Sequence, residues 1–66
     1  MGFTESLKKL RLEKGLTQDQ LAKMVGISNA AIGYYELNIK QPSVTVAGAI
    51  AEKLGTTVDA MIKGDV

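Results

Sequence analysis

The sequence predicts an all-α chain of five short helices. Three observations carry that expectation. Glycine and turn residues punctuate the 66 residues at short intervals, with breaks at Gly15, Gly26, the stretch 38–42, Gly55 and Gly64. The apolar residues between the breaks recur at the spacing of a helix face. No segment shows the alternation of a half-buried strand.

The first helix is expected over residues 4–14. Leu7, Leu10 and Arg11, with the stem of Lys14, share one face, and Gly15 supplies the left-handed stop. Thr17-Gln18-Asp19-Gln20 is a capping box: the Thr17 hydroxyl accepts a backbone N–H and Gln20 reaches back. Leu21, Ala22 and Val25 then form a buried stripe that ends at Gly26. Ser28 is the N-cap of a third helix running to Glu36 or Leu37, with Ile32 and Tyr35 inward. Gly33 inside it costs about 1 kcal/mol relative to alanine, and Asn38 is its left-handed stop. Pro42-Ser43 open a fourth helix through Leu54, with Ala47, Ile50, Ala51 and Leu54 on the inner face and Gly48 allowing a close approach. Thr57 caps a fifth helix over residues 58–63, whose apolar residues are Val58, Met61 and Ile62.

Composition narrows what such a chain does. With no cysteine and no histidine, disulfides and Cys/His zinc sites are excluded. Hydrophobic residues make up 45%, which suits one folded domain over residues 1–66 and not a disordered chain. No apolar run approaches the roughly 20 residues of a membrane span. The N-terminus has no signal-peptide pattern, so the expectation is a cytoplasmic protein with no membrane partner and no cofactor or metal. Catalysis is not expected: acid–base or nucleophilic work lacks any histidine to tune, and no phosphate-cradling glycine loop is present. Formal net charge is only +1, with a local excess of two positive charges over residues 1–16 and of one negative charge over residues 17–36. Any affinity for nucleic acid must therefore come from placement more than from total charge.

The second and third helices are separated only by Gly26-Ile27-Ser28. So short a connection forces a steep crossing, the geometry of a helix-turn-helix over about residues 17–36. The side chains meet its requirements. Ala22 is small where the helices cross, and Gly26 tolerates positive φ in the turn. Leu21, Val25, Ile27, Ile32 and Tyr35 supply apolar anchors on both sides.

On these residues the chain resembles the Cro/repressor-type (XRE-like) helix-turn-helix family of phage and bacterial regulators. The matching stretches are Leu10-Arg11, Gly15-Leu16-Thr17-Gln18, Leu21-Ala22, Val25-Gly26-Ile27-Ser28, Ile32, Tyr35-Glu36, Pro42-Ser43, Ile50-Ala51, Leu54-Gly55 and Val58-Asp59, and the likeness covers about residues 5–63. The resemblance implies a compact five-helix, lambda-repressor-like domain that binds double-stranded DNA, usually as a homodimer with its third helix in the major groove. It also implies an ion pair between Arg11 and Glu36.

With Ile32 and Tyr35 inward, Asn29, Ala30, Gly33 and Tyr34 lie toward the groove as candidate base contacts. Gln18, Ser28, Asn38, Lys40 and Gln41 are the candidate phosphate contacts, the first two through helix N-termini. Val58, Met61 and Ile62 are expected to divide between the core and a dimer surface. Two functions follow: a sequence-specific transcriptional regulator, most simply a repressor on a palindromic site, or a protein-interaction module using Leu37, Ile39 and the last helix. The sparse third helix, with Ala30, Ala31 and Gly33, favours the second. The intact caps and turn favour the first.

Overall fold

Hydroxyl side chains decide where four of the five helices begin. A computed structural model describes residues 2–66, with α1 over Phe3–Glu13, α2 over Gln18–Val25, α3 over Asn29–Glu36, α4 over Val44–Lys53 and α5 over Val58–Lys63. The Thr17 hydroxyl accepts the Gln20 N–H at 3.0 Å, Ser28 that of Ala31 at 3.1 Å, Ser43 that of Val46 at 3.2 Å and Thr57 that of Ala60 at 3.1 Å. Each such cap is worth about 1 kcal/mol. At the head of α1 the Glu5 carboxylate accepts the Gly2 N–H instead. The stop after α2 requires Gly26, whose φ of 84° closes the last turn and starts the reversal into α3.

Every helix contributes to one core: Leu7 from α1, Leu21 and Ala22 from α2, Ile32 from α3, Ile50 and Ala51 from α4, and Met61 from α5, joined by Leu54 just beyond α4. Phe3, Leu10, Leu16, Val25, Ile27, Tyr35, Val46, Val58 and Val66 pack around it. α2 lies against α3 and α4, and α1 bridges α3 and α5. Ser6 is fully buried among these residues, and its hydroxyl donates to the Met61 carbonyl at 2.7 Å. That bond satisfies a last-turn carbonyl of α5 and ties the chain's two ends together. Among the described residues there is no strand, and no helix is long and apolar enough to cross a membrane.

Three expectations are corrected. Met61 does not belong to a dimer surface: its side chain is 0% exposed, whereas Ile62 is 52% exposed and Val58 is partly buried. A six-residue helix turns fewer than twice, so the apolar set Val58, Met61 and Ile62 does not fix which residue points inward. The first helix stops one residue short of the expected end: Lys14 is its C-cap and is exposed, with Nζ 3.8 Å from where a Gly55 Cβ would lie, while Ser6 and Leu7 occupy the covered side. Gly48 marks no close approach, because a Cβ there would meet nothing within 4 Å.

These placements have separable consequences for stability. Met61→Ala is expected to destabilise the domain by about 2–5 kcal/mol in chemical denaturation, because it opens a cavity at the centre of the core. Ile62→Ala, at a half-exposed position, is expected to cost clearly less. Gly48→Ala is expected to stabilise by about 1 kcal/mol, since the helix gains propensity and the added methyl displaces nothing. A raised or unchanged midpoint for Met61→Ala, or a lowered one for Gly48→Ala, would contradict the packing described.

Candidate nucleic-acid interface

An eight-residue helix with few buried side chains does not hold its own orientation, and α3 has one wholly enclosed side chain, Ile32. A buried ion pair adds the missing constraint. Arg11 Nε donates to Glu36 Oε2 at 2.6 Å and Nη2 to Glu36 Oε1 at 3.1 Å, a two-pronged contact between α1 and the last residue of α3. The side chains are 10% and 4% exposed. Arg11 Nη1 donates to the Leu16 carbonyl at 2.8 Å, so the same guanidinium also holds the loop before α2. Gln18, the first residue of α2, donates its amide to Glu36 Oε1 at 3.2 Å. Among the described residues no buried side-chain nitrogen or oxygen is left without a partner. One carboxylate thus joins α1, α2 and α3.

That network also sorts the candidate contact residues. Asn29, Ala30 and Tyr34 are exposed on α3, and Ala30 and Tyr34 stand one turn apart on the same face. Gly33 is different: it is half-buried, and a Cβ there would lie 3.7 Å from Gln18 Oε1. The Gln18 amide therefore overlies Gly33, which faces α2 and not open groove space. Gln18 reaches toward α3 with its side chain, and what it offers outward is the helix end. The Thr17 and Ser28 hydroxyls take the N–H groups of Gln20 and Ala31. The N–H groups of Gln18, Asp19, Asn29 and Ala30 are left without intrahelical acceptors, as in any first turn. Asn38 and Gln41 bond to each other, with Gln41 Nε2 donating to Asn38 Oδ1. Lys40 lies over the Tyr34 ring with Nζ 5.2 Å from its centroid. The charge of Glu36 is met by Arg11, so the exposed α3 face carries no free carboxylate.

The roles of Ser6, the Leu16 carbonyl and the Gln18 amide emerge from the folded structure. Ser6 has a local signal, since it adjoins Leu7 and lies one turn before Leu10 on the apolar face. The other two have none, because each depends on where a distant side chain arrives. No cluster of His, Cys, Asp and Glu among the described residues is arranged to hold a metal ion.

Comparison with known proteins agrees with this architecture. A helix-turn-helix family model matches residues 7–61. The chain is 34% identical over 62 residues to the SPbeta prophage-derived uncharacterized HTH-type transcriptional regulator YonR of Bacillus subtilis (strain 168), covering 94% of this chain and 57% of that one. It is 36% identical over 63 residues to the uncharacterized HTH-type transcriptional regulator YqaE of the same organism, covering 96% of this chain and 54% of that one. The chain thus spans about half the length of these curated relatives. Among solved structures, the P22 c2 repressor protein in complex with synthetic operator 9T superposes with a TM-score of 0.92 at 31% identity, over 98% of both chains.

Deleting one side of the ion pair strands the other in a site that excludes water. Arg11→Met is expected to destabilise by about 3–5 kcal/mol in denaturant titration. The double-mutant cycle with Glu36→Gln is expected to return a coupling well above the roughly 0.2–1 kcal/mol of an exposed pair. A coupling near zero would show that Glu36 does not depend on Arg11.

Proposed function

The chain belongs to the helix-turn-helix family, matched here over residues 7–61, and from that footing we propose that it is a sequence-specific DNA-binding transcriptional regulator acting as a repressor. The observation that carries this reading is the exposed face of α3, where Asn29, Ala30 and Tyr34 stand clear of the core, flanked by the capped N-termini of α2 and α3. In this reading α3 enters the major groove. Asn29 bonds a base edge, adenine by preference, and Ala30 meets a thymine methyl. The first-turn N–H groups at Gln18 and at the start of α3 take phosphate oxygens, and Lys40 adds a cation just past the helix. The likeness to a repressor solved with its operator, over 98% of both chains, supports the assignment.

A single copy reads too few base pairs to select a site, so the proposal includes a homodimer on a palindrome with half-sites about 34–36 Å apart. Val58 and Ile62 line an apolar groove with Phe3, Pro42, Val44 and Ala47, and this is the face assigned to the second copy. Gly33 is set aside as a base contact, since it lies under the Gln18 amide. Asn38 and Gln41 are retained as phosphate contacts: the bond from Gln41 Nε2 to Asn38 Oδ1 orders the two side chains and leaves the Asn38 amide N–H groups and one N–H of Gln41 to donate. The fold offers no histidine or cysteine for catalysis, and the role is binding.

A second reading has its own observation. Leu37 and Ile39 are 72% and 61% exposed immediately after α3, an apolar pair that a protein partner would cover. This is the antitoxin or co-regulator type of module on the same scaffold.

Selection of bound duplexes from random fragments at low salt separates the two. The regulator reading expects an enriched palindromic motif, bound more tightly than its isolated half-site. It also expects Asn29→Ala to relax discrimination at one base position by about 1–3 kcal/mol. No enrichment, or equal affinity for half-site and palindrome with unchanged base preference in Asn29→Ala, would move the interaction module into first place.

A further inference from the structure

We propose that Tyr34 and Lys40 act as one binding point for a phosphodiester oxygen, the tyrosine ring serving as the platform that orders the lysine ammonium, and not as a base reader beside an independent charge. The inference rests on the DNA-binding reading above and reassigns Tyr34 within it.

The backbone brings the two residues together. Asn38 takes φ of 59°, a left-handed value that reverses the chain at the end of α3. The reversal carries the Ile39 N–H to the Tyr34 carbonyl at 2.9 Å and the Lys40 N–H to the same carbonyl at 3.5 Å. Lys40 is thus anchored through its main chain to the residue whose ring its side chain covers. The bond from Gln41 Nε2 to Asn38 Oδ1 closes the turn from the other side. The ammonium sits 5.2 Å from the ring centroid, within the range of a cation–π contact.

The charge on Lys40 is also available. The ion pairs among the described residues join Arg11 to Glu36, Lys23 to Asp19 and Lys63 to Asp59, and Lys9 donates to the Val66 carbonyl. Lys40 is in none of them. A ring face attracts a cation without accepting its hydrogen bonds in full, so the ammonium keeps donors for a ligand. A compact ammonium suits a single anionic oxygen better than a planar pair of acceptors. Exposed lysines usually lose rotamer freedom when they bind, and here part of that ordering precedes binding. On the exposed side of α3 this is a monovalent, sequence-blind anchor beside Asn29 and Ala30, which face the same solvent.

Two measurements test the pair. In the free protein, proton NMR is expected to show the Lys40 ε-methylene resonances shifted upfield by the Tyr34 ring, the shift disappearing in Tyr34→Leu and surviving in Tyr34→Phe. On DNA, affinities of wild type, Lys40→Met, Tyr34→Leu and the double variant are measured on a selected duplex and on a scrambled one, with thermal unfolding of each variant in parallel. The expected coupling is about two- to fivefold, the same on both duplexes. Lys40→Met is expected to lower the salt slope by about 0.9 in the wild-type background and by less in Tyr34→Leu. Tyr34→Phe is expected to keep the coupling. An absent ring-current shift, or additive losses on DNA, would overturn the paired anchor while leaving the regulator reading intact. A Tyr34→Leu loss confined to the selected duplex would return Tyr34 to base reading. Wild-type protein that binds neither duplex would instead remove the regulator reading itself.

Discussion

The contact between Arg11 and Glu36 is the constraint on which the presentation of α3 depends. A buried ion pair is weak evidence for stability as such, because the cost of desolvating both charges offsets much of their attraction. Its value here is geometric. A planar guanidinium meeting a carboxylate on two atoms permits one relative orientation, at 2.6 Å and 3.1 Å, where an apolar contact would tolerate sliding. Arg11 Nη1 donates to the Leu16 carbonyl, and Glu36 accepts a further bond from Gln18. The C-terminal end of α3 and the start of α2 are therefore held by the same carboxylate. Ile32 supplies the burial under α3, and the ion pair supplies its angle.

Around this arrangement the exposed face is chemically spare. α3 has no basic residue, and its one charge is consumed by Arg11. The interactions left to the face are backbone N–H groups at two helix starts, one amide side chain at Asn29, a small methyl at Ala30, and the Tyr34–Lys40 pair. In the proposed DNA contact such a surface would discriminate by where its groups sit more than by charge attraction. That raises the importance of the network behind it, because an error of an ångström in α3 would not be compensated by long-range electrostatics.

Legibility in the sequence followed the range of each interaction. Thr17, Ser28, Ser43 and Thr57 each act within three residues, so the helix starts could be read from the chain itself. The left-handed stops at Gly26 and Asn38 are equally local. The phase of α5 was not legible, since six residues do not sample the helical period enough to separate Met61 from Ile62. Gly48 misled because a helix-interior glycine signals close approach only when something approaches. At the site, Arg11 and Glu36 are 25 residues apart and no spacing rule links them; the family resemblance pointed to them where the residues alone did not. The turn of Gln18 onto Gly33, and the return of Lys40 onto Tyr34 through Asn38, depend on tertiary geometry and left no mark in composition or period.

We propose that α3, held by the Arg11–Glu36 network, is the surface that meets DNA. Chemical-shift mapping of the amide resonances during titration with a duplex tests it most directly. The largest changes are expected at Gln18 and Asp19, at Asn29 and Ala30, and through Tyr34 to Lys40, with the Asn29 side-chain amide moving among them. Changes centred on the outer face of α1 around Lys8 and Leu12, or on the groove of Phe3, Val44 and Ile62, with α3 unmoved, would contradict it.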